Sequence, residues 1–373
     1  AAKIVFEGLK RLEYRGYDSW GIAVSDNPDM AVYKKVGAIG TIDNVDLPPS
    51  TVAIGHTRWA THGSVTELNA HPHFSSDKSF VLAQNGIVEN YAELKAKLAK
   101  AGHKFATETD TEVIVRLIEE KRKGKKSLKD AVCDAFSDLK GRNTVILLSK
   151  NGEVIAARNG SPLVVGFGEA GTYLSSDTLS FAPYATKMIV VENGQVVHCS
   201  DGKIDISDMK SGKKIKYLVE NVDISDNRID REGYPHFMLK EINEGPYVVR
   251  QLLNQNLKAY RDLASVIKRS KNVYTIASGT TGIAAAQIAF YLRKHAKVGA
   301  VSLIGAEAME YFDLFSKSDL LIAPSQSGET ADVLEVLEIA AKKGVAIASF
   351  VNMPGSTMTR MSDFKFMAQA GPE

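Results

Sequence analysis

The stretch Ser318–Gly344, SDLLIAPSQSGETADVLEVLEIAAKKG, decides the architecture of its half of the chain. It opens on a short apolar run and passes through a polar turn, Ser325-Gln326-Ser327-Gly328-Glu329-Thr330. It then takes up a helical apolar spacing that stops at Gly344. A strand that runs through a tight turn into a helix is one βα unit. Units of the same make lie on either side. Upstream are NVYTIASGTTG with the helical IAAAQIAFYLRKHA, and KVGAVSLIG with AEAMEYF; downstream are VAIASFVNMPGS and DFKFMAQAG. Five short apolar strands separated by helices predict an α/β, doubly wound, five-stranded parallel sheet.

In such sheets ligands sit beyond the carboxyl ends of the strands. Two of those ends carry hydroxyl-rich turns: Ser278-Gly279-Thr280-Thr281, and Ser325-Gln326-Ser327 with Thr330. A helix N-terminus offers unpaired N–H groups and partial positive charge, and hydroxyls add neutral donors. The pair suits a phosphorylated polyol. Neither turn has the spacing of a P-loop or of a dinucleotide fingerprint. The plainer reading is that these hydroxyls cap their helices, as serine and threonine often do.

Residues 1–220 have a different texture. Apolar strands are expected at Trp20–Val24, Thr51–His56 and Ser79–Ala83. Asn151-Gly152 between two apolar runs is a type I′ hairpin signal, and Asn193-Gly194 repeats it. Helices are expected in ENYAELKAKLAKAG, ending on Gly102, and in TETDTEVIVRLIEEKRKG, where Thr109 and Glu112 have capping-box spacing. SLKDAVCDAFSDLKG adds a third. Hairpins with helices segregated between them predict an α+β layered domain. A charged, apolar-poor tract around Ser207–Pro235 changes the texture, and residues 221–240 read as a linker into residues 241–373.

At 373 residues the chain is long for a single core, which agrees with two domains. Net charge is +2, which gives no electrostatic case for nucleic acid or a membrane surface. No apolar run approaches the length of a transmembrane helix. Two cysteines in unrelated contexts make neither a disulfide framework nor a zinc pattern and favour a cytoplasmic setting. The chain opens AAKIVFEGLKRLEY without an initiator methionine and reads as starting inside a domain.

The candidate chemistry of the first half centres on His56-Thr-Arg-Trp-Ala-Thr-His-Gly63. Four histidines, His56, His62, His71 and His73, raise a metal cluster as one reading. No HExxH and no acid at ligand spacing accompany them, so no metal is expected. Asn85-Gly86 follows a strand. It reads either as a hairpin turn or as a side-chain amide and a backbone N–H presented to an oxyanion. Asp110 opens its helix, where it complements the dipole or pairs with a substrate ammonium. Arg58 suits a bidentate carboxylate clamp. Trp59, amid so many polar groups, reads as a wall or lid. Together these residues fit an amidase acting on a zwitterionic amino acid. The nucleophile is not evident, because Cys133 lies on an apolar helical stripe and Cys199 has only His198 beside it.

RLEYRGYDS, GHTRWATHG, NAHPH, NGIVEN and ETDTEV, in this order, resemble the class II glutamine amidotransferase domain. SGTT, SQSGETAD and NMPGS resemble the sugar isomerase (SIS) domain. The succession is similar to the glutamine–fructose-6-phosphate aminotransferase (isomerising), or glucosamine-6-phosphate synthase, family over nearly the whole chain. The resemblance implies an Ntn-hydrolase αββα sandwich followed by SIS domains. It implies conversion of L-glutamine and fructose 6-phosphate to glucosamine 6-phosphate and glutamate, the first step of hexosamine synthesis, without a cofactor. It assigns Arg58, Trp59, Thr61, His62, Gly86 and Asp110 to the glutamine pocket and Asn85 and Gly86 to the oxyanion hole. Ser278, Gly279, Thr280, Thr281, Ser325, Gln326, Ser327 and Thr330 fall to the sugar phosphate. Trp59 matches a gate on an ammonia channel, and a homodimer through SIS domains is implied.

The family's nucleophile is an amino-terminal cysteine whose α-amino group, with a pKa of about 8, serves as base. The strand bearing it, and a second SIS domain, are expected to lie outside this chain, so the chain alone is expected to be inactive. Competing readings are another class II amidotransferase and a sugar-phosphate-sensing SIS module. Amidophosphoribosyltransferase would need an acidic diphosphate-sugar motif and asparagine synthetase an SGGxDS-like ATP loop, and neither is found. A sensor has no use for an oxyanion hole.

Overall fold

The computed structural model describes residues 1–13, 16–26, 29–40, 44–124, 126–200, 202–222, 233–255, 257–353 and 355–370. The chain divides into two compact units, Ala1–Ser225 and Asp226–Glu373. Of the stretch expected as linker, residues 223–232 lie outside the described residues.

The first unit opens with helix α1 (Ala2–Leu12) and strands β1 (Ser19–Asp26), β2 (Asp29–Val36), β3 (Ala53–Arg58), β4 (His73–Phe74) and β5 (Phe80–Gly86). Helices α2 (Tyr91–Lys100), α3 (Asp110–Arg122) and α4 (Leu128–Asp138) follow. Then come β6 (Asn143–Ser149), β7 (Val154–Asn159), β8 (Val164–Gly168), β9 (Gly171–Ser175), β10 (Lys187–Val190), β11 (Gln195–Ser200), β12 (Lys203–Asp208) and β13 (Glu220–Asn221). The strands form a three-stranded sheet β2-β1-β3, a six-stranded sheet β12-β11-β7-β6-β5-β4 and a four-stranded sheet β13-β10-β8-β9.

Alternation along β1 explains the layering. Trp20 and Ile22 point to one face, where they pack with Phe6 and Leu9 of α1. Gly55, opposite Ile22 in register, makes that approach close: a Cβ there would fall 2.6 Å from Val5. Ala23 points to the other face and joins Ile54, Val81, Leu148 and Val154 between the two sheets. Beyond the six-stranded sheet, α2, α3 and α4 bury Leu94, Ile114, Ile118 and Val132 on Leu82, Leu147 and Ile155. Helix, sheet, sheet and helices make the αββα sandwich. Truncating a side chain such as Ile114, fully buried here, costs about 2–5 kcal/mol.

Both expected two-residue hairpins are corrected. At Asn151-Gly152 the loop has three residues: Gly152 N–H bonds the Ser149 carbonyl and Ser149 N–H bonds that of Glu153. Only the glycine has positive φ, at 82°, whereas a type I′ turn needs it at both central residues. At Asn193-Gly194 there is no hairpin, because β10 and β11 belong to different sheets. There Asn193 Oδ1 accepts the Gly160 amide and Gly194 N–H bonds the Arg158 carbonyl. The capping box is half formed. Thr109 Oγ1 accepts the Glu112 amide, but the Glu112 carboxylate takes the amides of Ala106 and Thr107 and pairs with Arg116.

The second unit carries α5 (Phe237–Leu253), α6 (Leu257–Arg269), β14 (Val273–Ala277), α7 (Gly279–Tyr291), β15 (Ala300–Ile304), β16 (Leu320–Ser325), α8 (Ala331–Lys342), β17 (Ala346–Val351), α9 (Thr357–Met361) and β18 (Phe364–Met367). AEAMEYF, expected as a helix, lies instead in tight 3-10 turns spanning Gly305–Leu314. Every pairing in the sheet β15-β14-β16-β17-β18 is parallel, as the apolar runs predict. Strand order reverses between β14 and β16: the chain leaves β14 for one edge and returns on its other side. Such a switch point is where a doubly wound sheet opens a crevice, and the two hydroxyl-rich turns follow these two strands.

Candidate active site and sugar-phosphate cradle

In the first unit, Arg58, Trp59, Thr61, His62, Asn85, Gly86 and Asp110 line one cavity of about 290 Å³. His56, His71, Gln84 and Thr111 share its walls. Adjacent ends of β3 and β5 and the first turn of α3 bring them together.

Asn85 and Gly86 are the last residues of β5, paired with Thr144 and Asn143, so they are not a hairpin turn. Gly86 has φ 122°, and a Cβ there would meet the Arg142 carbonyl at 1.9 Å. Only glycine fits, so Gly86 lines the cavity with backbone and no side chain. His56 Nε2 lies 2.9 Å from Asn85 Oδ1.

Arg58 ends β3 and is buried. Its guanidinium donates to the carbonyls of His62, Gly63 and Ser64, which uses three of its five N–H groups and curls the 59–64 loop around it. Burial lowers its pKa, opposed by the charges of Asp18, Asp110 and Glu108, and it stays a cation. Asp110 is buried and its Oδ2 accepts the Val88 amide at 2.8 Å. A fixed guanidinium and a fixed carboxylate in one cavity match the two ends of an amino acid.

The loop has a second fastening that the sequence reading missed. Glu108 accepts from Ser64 N, from Ser64 Oγ and from Asn69 Nδ2. These bonds hold its carboxyl down at about 2. His62 sets its ring edge against Tyr91 at 4.9 Å. Trp59 is 59% exposed and contacts Tyr17 at 5.5 Å between ring centres, whereas the other tryptophan, Trp20, is core.

The histidines form a column. Ring centres of His56 and His71 are 4.4 Å apart, and those of His71 and His73 are 4.9 Å apart. Their nitrogens engage Asn85, Thr111 and Thr109 respectively. Burial lowers His71 and His73 well below the usual range and His56 to about 4, so all three are neutral near pH 7. Cys133 and Cys199 lie away from this cavity, and burial pushes both thiols up to about 11. Neither is a nucleophile here.

In the second unit the hydroxyls do not cap their helices. Ser278 precedes α7 and Thr330 precedes α8, both without a side-chain capping bond, and Ser278 Oγ is buried with no partner among the described residues. Ser325 Oγ accepts the Gly328 amide and Ser327 Oγ accepts the Glu329 amide, shaping the turn. Glu329 Oε1 accepts the Thr357 amide, which brings the third turn, NMPGS, against the second.

Two families match these units. Residues 43–134 match the glutamine amidotransferase domain and residues 266–373 the SIS domain. Among solved structures, a Bacillus subtilis glutamine phosphoribosylpyrophosphate amidotransferase is similar at 18% identity. It covers 100% of this chain and 85% of that one, with a TM-score of 0.51. Another, described as an allosteric regulatory enzyme of purine biosynthesis, is 21% identical, covers 94% of this chain and 78% of that one, and gives 0.52. These likenesses establish the Ntn-type fold. The chain thus combines a region that matches the glutamine amidotransferase domain with one that matches the SIS domain. In particular, it is a relative of the glutamine–fructose-6-phosphate aminotransferases (isomerizing). It is 36% identical over 380 residues to the protein of that name from Thermococcus kodakarensis and 37% over 382 to that from Thermus thermophilus. The Aquifex aeolicus protein is 38% identical over 380 residues. Each alignment takes in 100% of this chain, which spans about 63% of the length of these relatives.

Proposed function

We propose that the chain supplies the glutamine-hydrolysing part and a sugar-phosphate-binding part of an enzyme that makes glucosamine 6-phosphate from fructose 6-phosphate. L-Glutamine enters the first cavity with its α-carboxylate on Arg58 and its ammonium on Asp110. Thr61 and His62 position it. Its side-chain carbonyl oxygen meets Asn85 Nδ2 and Gly86 N. A thiolate, an amino-terminal cysteine by family resemblance, attacks that carbon; a C–S bond forms and the C–N bond breaks, releasing ammonia. Water then cleaves the thioester to glutamate. The developing oxyanion gains most from two fixed donors, since removing one such donor costs about 100- to 1000-fold in rate.

The carrying observation is the convergence of Arg58, Asp110 and Asn85-Gly86 on one cavity. Ammonia is the nitrogen source for the ketose carbonyl of fructose 6-phosphate, whose phosphate rests on the turns after β14 and β16. Trp59, exposed at the cavity, fits a gate that keeps ammonia from water. The resemblance supports a second copy of the chain as partner, and two unpaired cysteines support a cytoplasmic setting. No helix among the described residues is long and apolar enough to cross a membrane.

Calorimetric titration tests the reading. L-Glutamine should bind and be lost in Arg58→Ala, while fructose 6-phosphate binds both proteins alike and unphosphorylated fructose binds neither. Failure of fructose 6-phosphate to bind would sink it.

A further inference from the structure

We infer that His56 orients the Asn85 amide, presenting its NH₂ group to the cavity as an oxyanion donor. This rests on the glutamine hydrolysis proposed above. A primary amide can sit with either its oxygen or its nitrogen toward a site, and only the nitrogen stabilises negative charge. Asn85 Oδ1 lies 2.9 Å from His56 Nε2. An amide oxygen only accepts, so the His56 proton resides on Nε2 and Asn85 Nδ2 is turned away from the ring. Were the proton on Nδ1, Nε2 would take an amide hydrogen and the Asn85 oxygen would face the substrate carbonyl. The oxyanion hole would then repel the charge it must hold.

The surroundings supply the reason for one arrangement. The His56 ring is enclosed between His71, the Asn85 amide and the backbone of Gln84. His71 packs against it. His71 in turn is fixed by a directional relay. Gln84 Nε2 donates to Asn143 Oδ1 at 2.7 Å, which leaves Gln84 Oε1 to accept from Thr111 Oγ1 at 2.6 Å. Thr111 has a single hydroxyl hydrogen, so its 2.9 Å contact with His71 must be donated by His71 Nε2. Burial keeps both rings neutral, so protonation near pH 7 does not scramble these directions. His56 thus acts through Asn85 and is a positioning residue.

Two measurements test the assignment. In ¹⁵N-histidine NMR at pH 7, His56 should show the Nε2–H tautomer. The Nδ1–H tautomer would overturn the inference whether or not the protein turns over glutamine, so this result is independent of the functional reading. In the full-length protein, His56→Phe keeps the ring volume and removes the donor. Glutamate release should fall about 100-fold in kcat with KM for L-glutamine within about twofold, since the substrate's charged ends bind elsewhere. His56→Gln restores an N–H near the Nε2 position and should recover kcat to within about tenfold. Parent kcat in His56→Phe, or equal loss in both variants, would overturn the role. Inactivity of the parent protein would instead count against the functional reading, leaving the tautomer to decide this one.

Discussion

Asp110 Oδ2 accepts the backbone amide of Val88 at 2.8 Å, tying the first turn of α3 to the chain just beyond β5. One oxygen of the carboxylate is therefore structural, and the proposed ammonium contact uses the other. Asp110→Asn keeps an acceptor for Val88 and removes the charge. It should weaken L-glutamine binding roughly 10- to 100-fold, as for a charged hydrogen bond, with little change in Tm. Asp110→Ala should weaken binding as much and lower Tm too. Calorimetry and thermal melting on both variants check the separation. Equal Tm losses would show that the carboxylate serves the fold alone.

Glu108 acts at a distance from substrate. Its three bonds to Ser64 and Asn69 hold the loop whose carbonyls hold Arg58. Glu108→Ala should weaken glutamine binding about 3- to 10-fold through a looser loop, with fructose 6-phosphate binding unchanged. The folded carboxyl, at about 2, lies below its ordinary value of 4.5. Its contribution is therefore present above about pH 4.5 and is lost as pH falls toward 2. A Tm-versus-pH series should show this acid limb in the parent and a shallower one in Glu108→Ala.

The histidine column sets a second pH dependence, at milder acidity. His56, His71 and His73 have folded pKa values below the 6.5 of the unfolded chain. Below that pH the unfolded chain binds protons that the folded chain refuses, so stability is full above about pH 6.5 and falls as pH drops, toward about 4 for His56. Tm should be level between pH 7 and 8 and decline from pH 6 to 5, less steeply in His71→Gln. Identical slopes in the two proteins would contradict it.

These three regions differ in how far the sequence alone could expose them. The βα units from Val273 to Met367 were legible because apolar runs and polar turns alternate locally, and the motifs around Arg58, Asn85 and Asp110 are contiguous. Partners far apart in sequence were not. Glu108 reaches Ser64 across 44 positions, and Thr109 and Thr111 reach His73 and His71 across 36 and 40. Four clustered histidines therefore raised a metal site as one reading, although the nitrogens of His56, His71 and His73 meet an amide and hydroxyls supplied by β5 and the start of α3. Asn193-Gly194 misled for a related reason. A turn dipeptide reports local φ, and only the sheets reveal that its flanking strands pair with different neighbours.

The serines of the second unit allow a sharper test of binding against folding. Ser325 Oγ accepts the Gly328 amide at 2.9 Å, and Gly328 has φ 66° in a turn packed on Ser356. Ser278 Oγ is buried beside Gly305 with no partner among the described residues and does not cap α7. Removing the first hydroxyl strands a buried N–H, whereas removing the second frees a site from an unmet polar group. Ser325→Ala should therefore lower Tm, by about 1–3 kcal/mol of stability, and weaken fructose 6-phosphate binding. Ser278→Ala should leave Tm unchanged or slightly higher while weakening fructose 6-phosphate about 3- to 10-fold, because its hydroxyl is matched only when ligand is bound. Calorimetry with melting curves on the pair separates the two roles. Undiminished fructose 6-phosphate affinity in Ser278→Ala would remove the turn after β14 from the cradle.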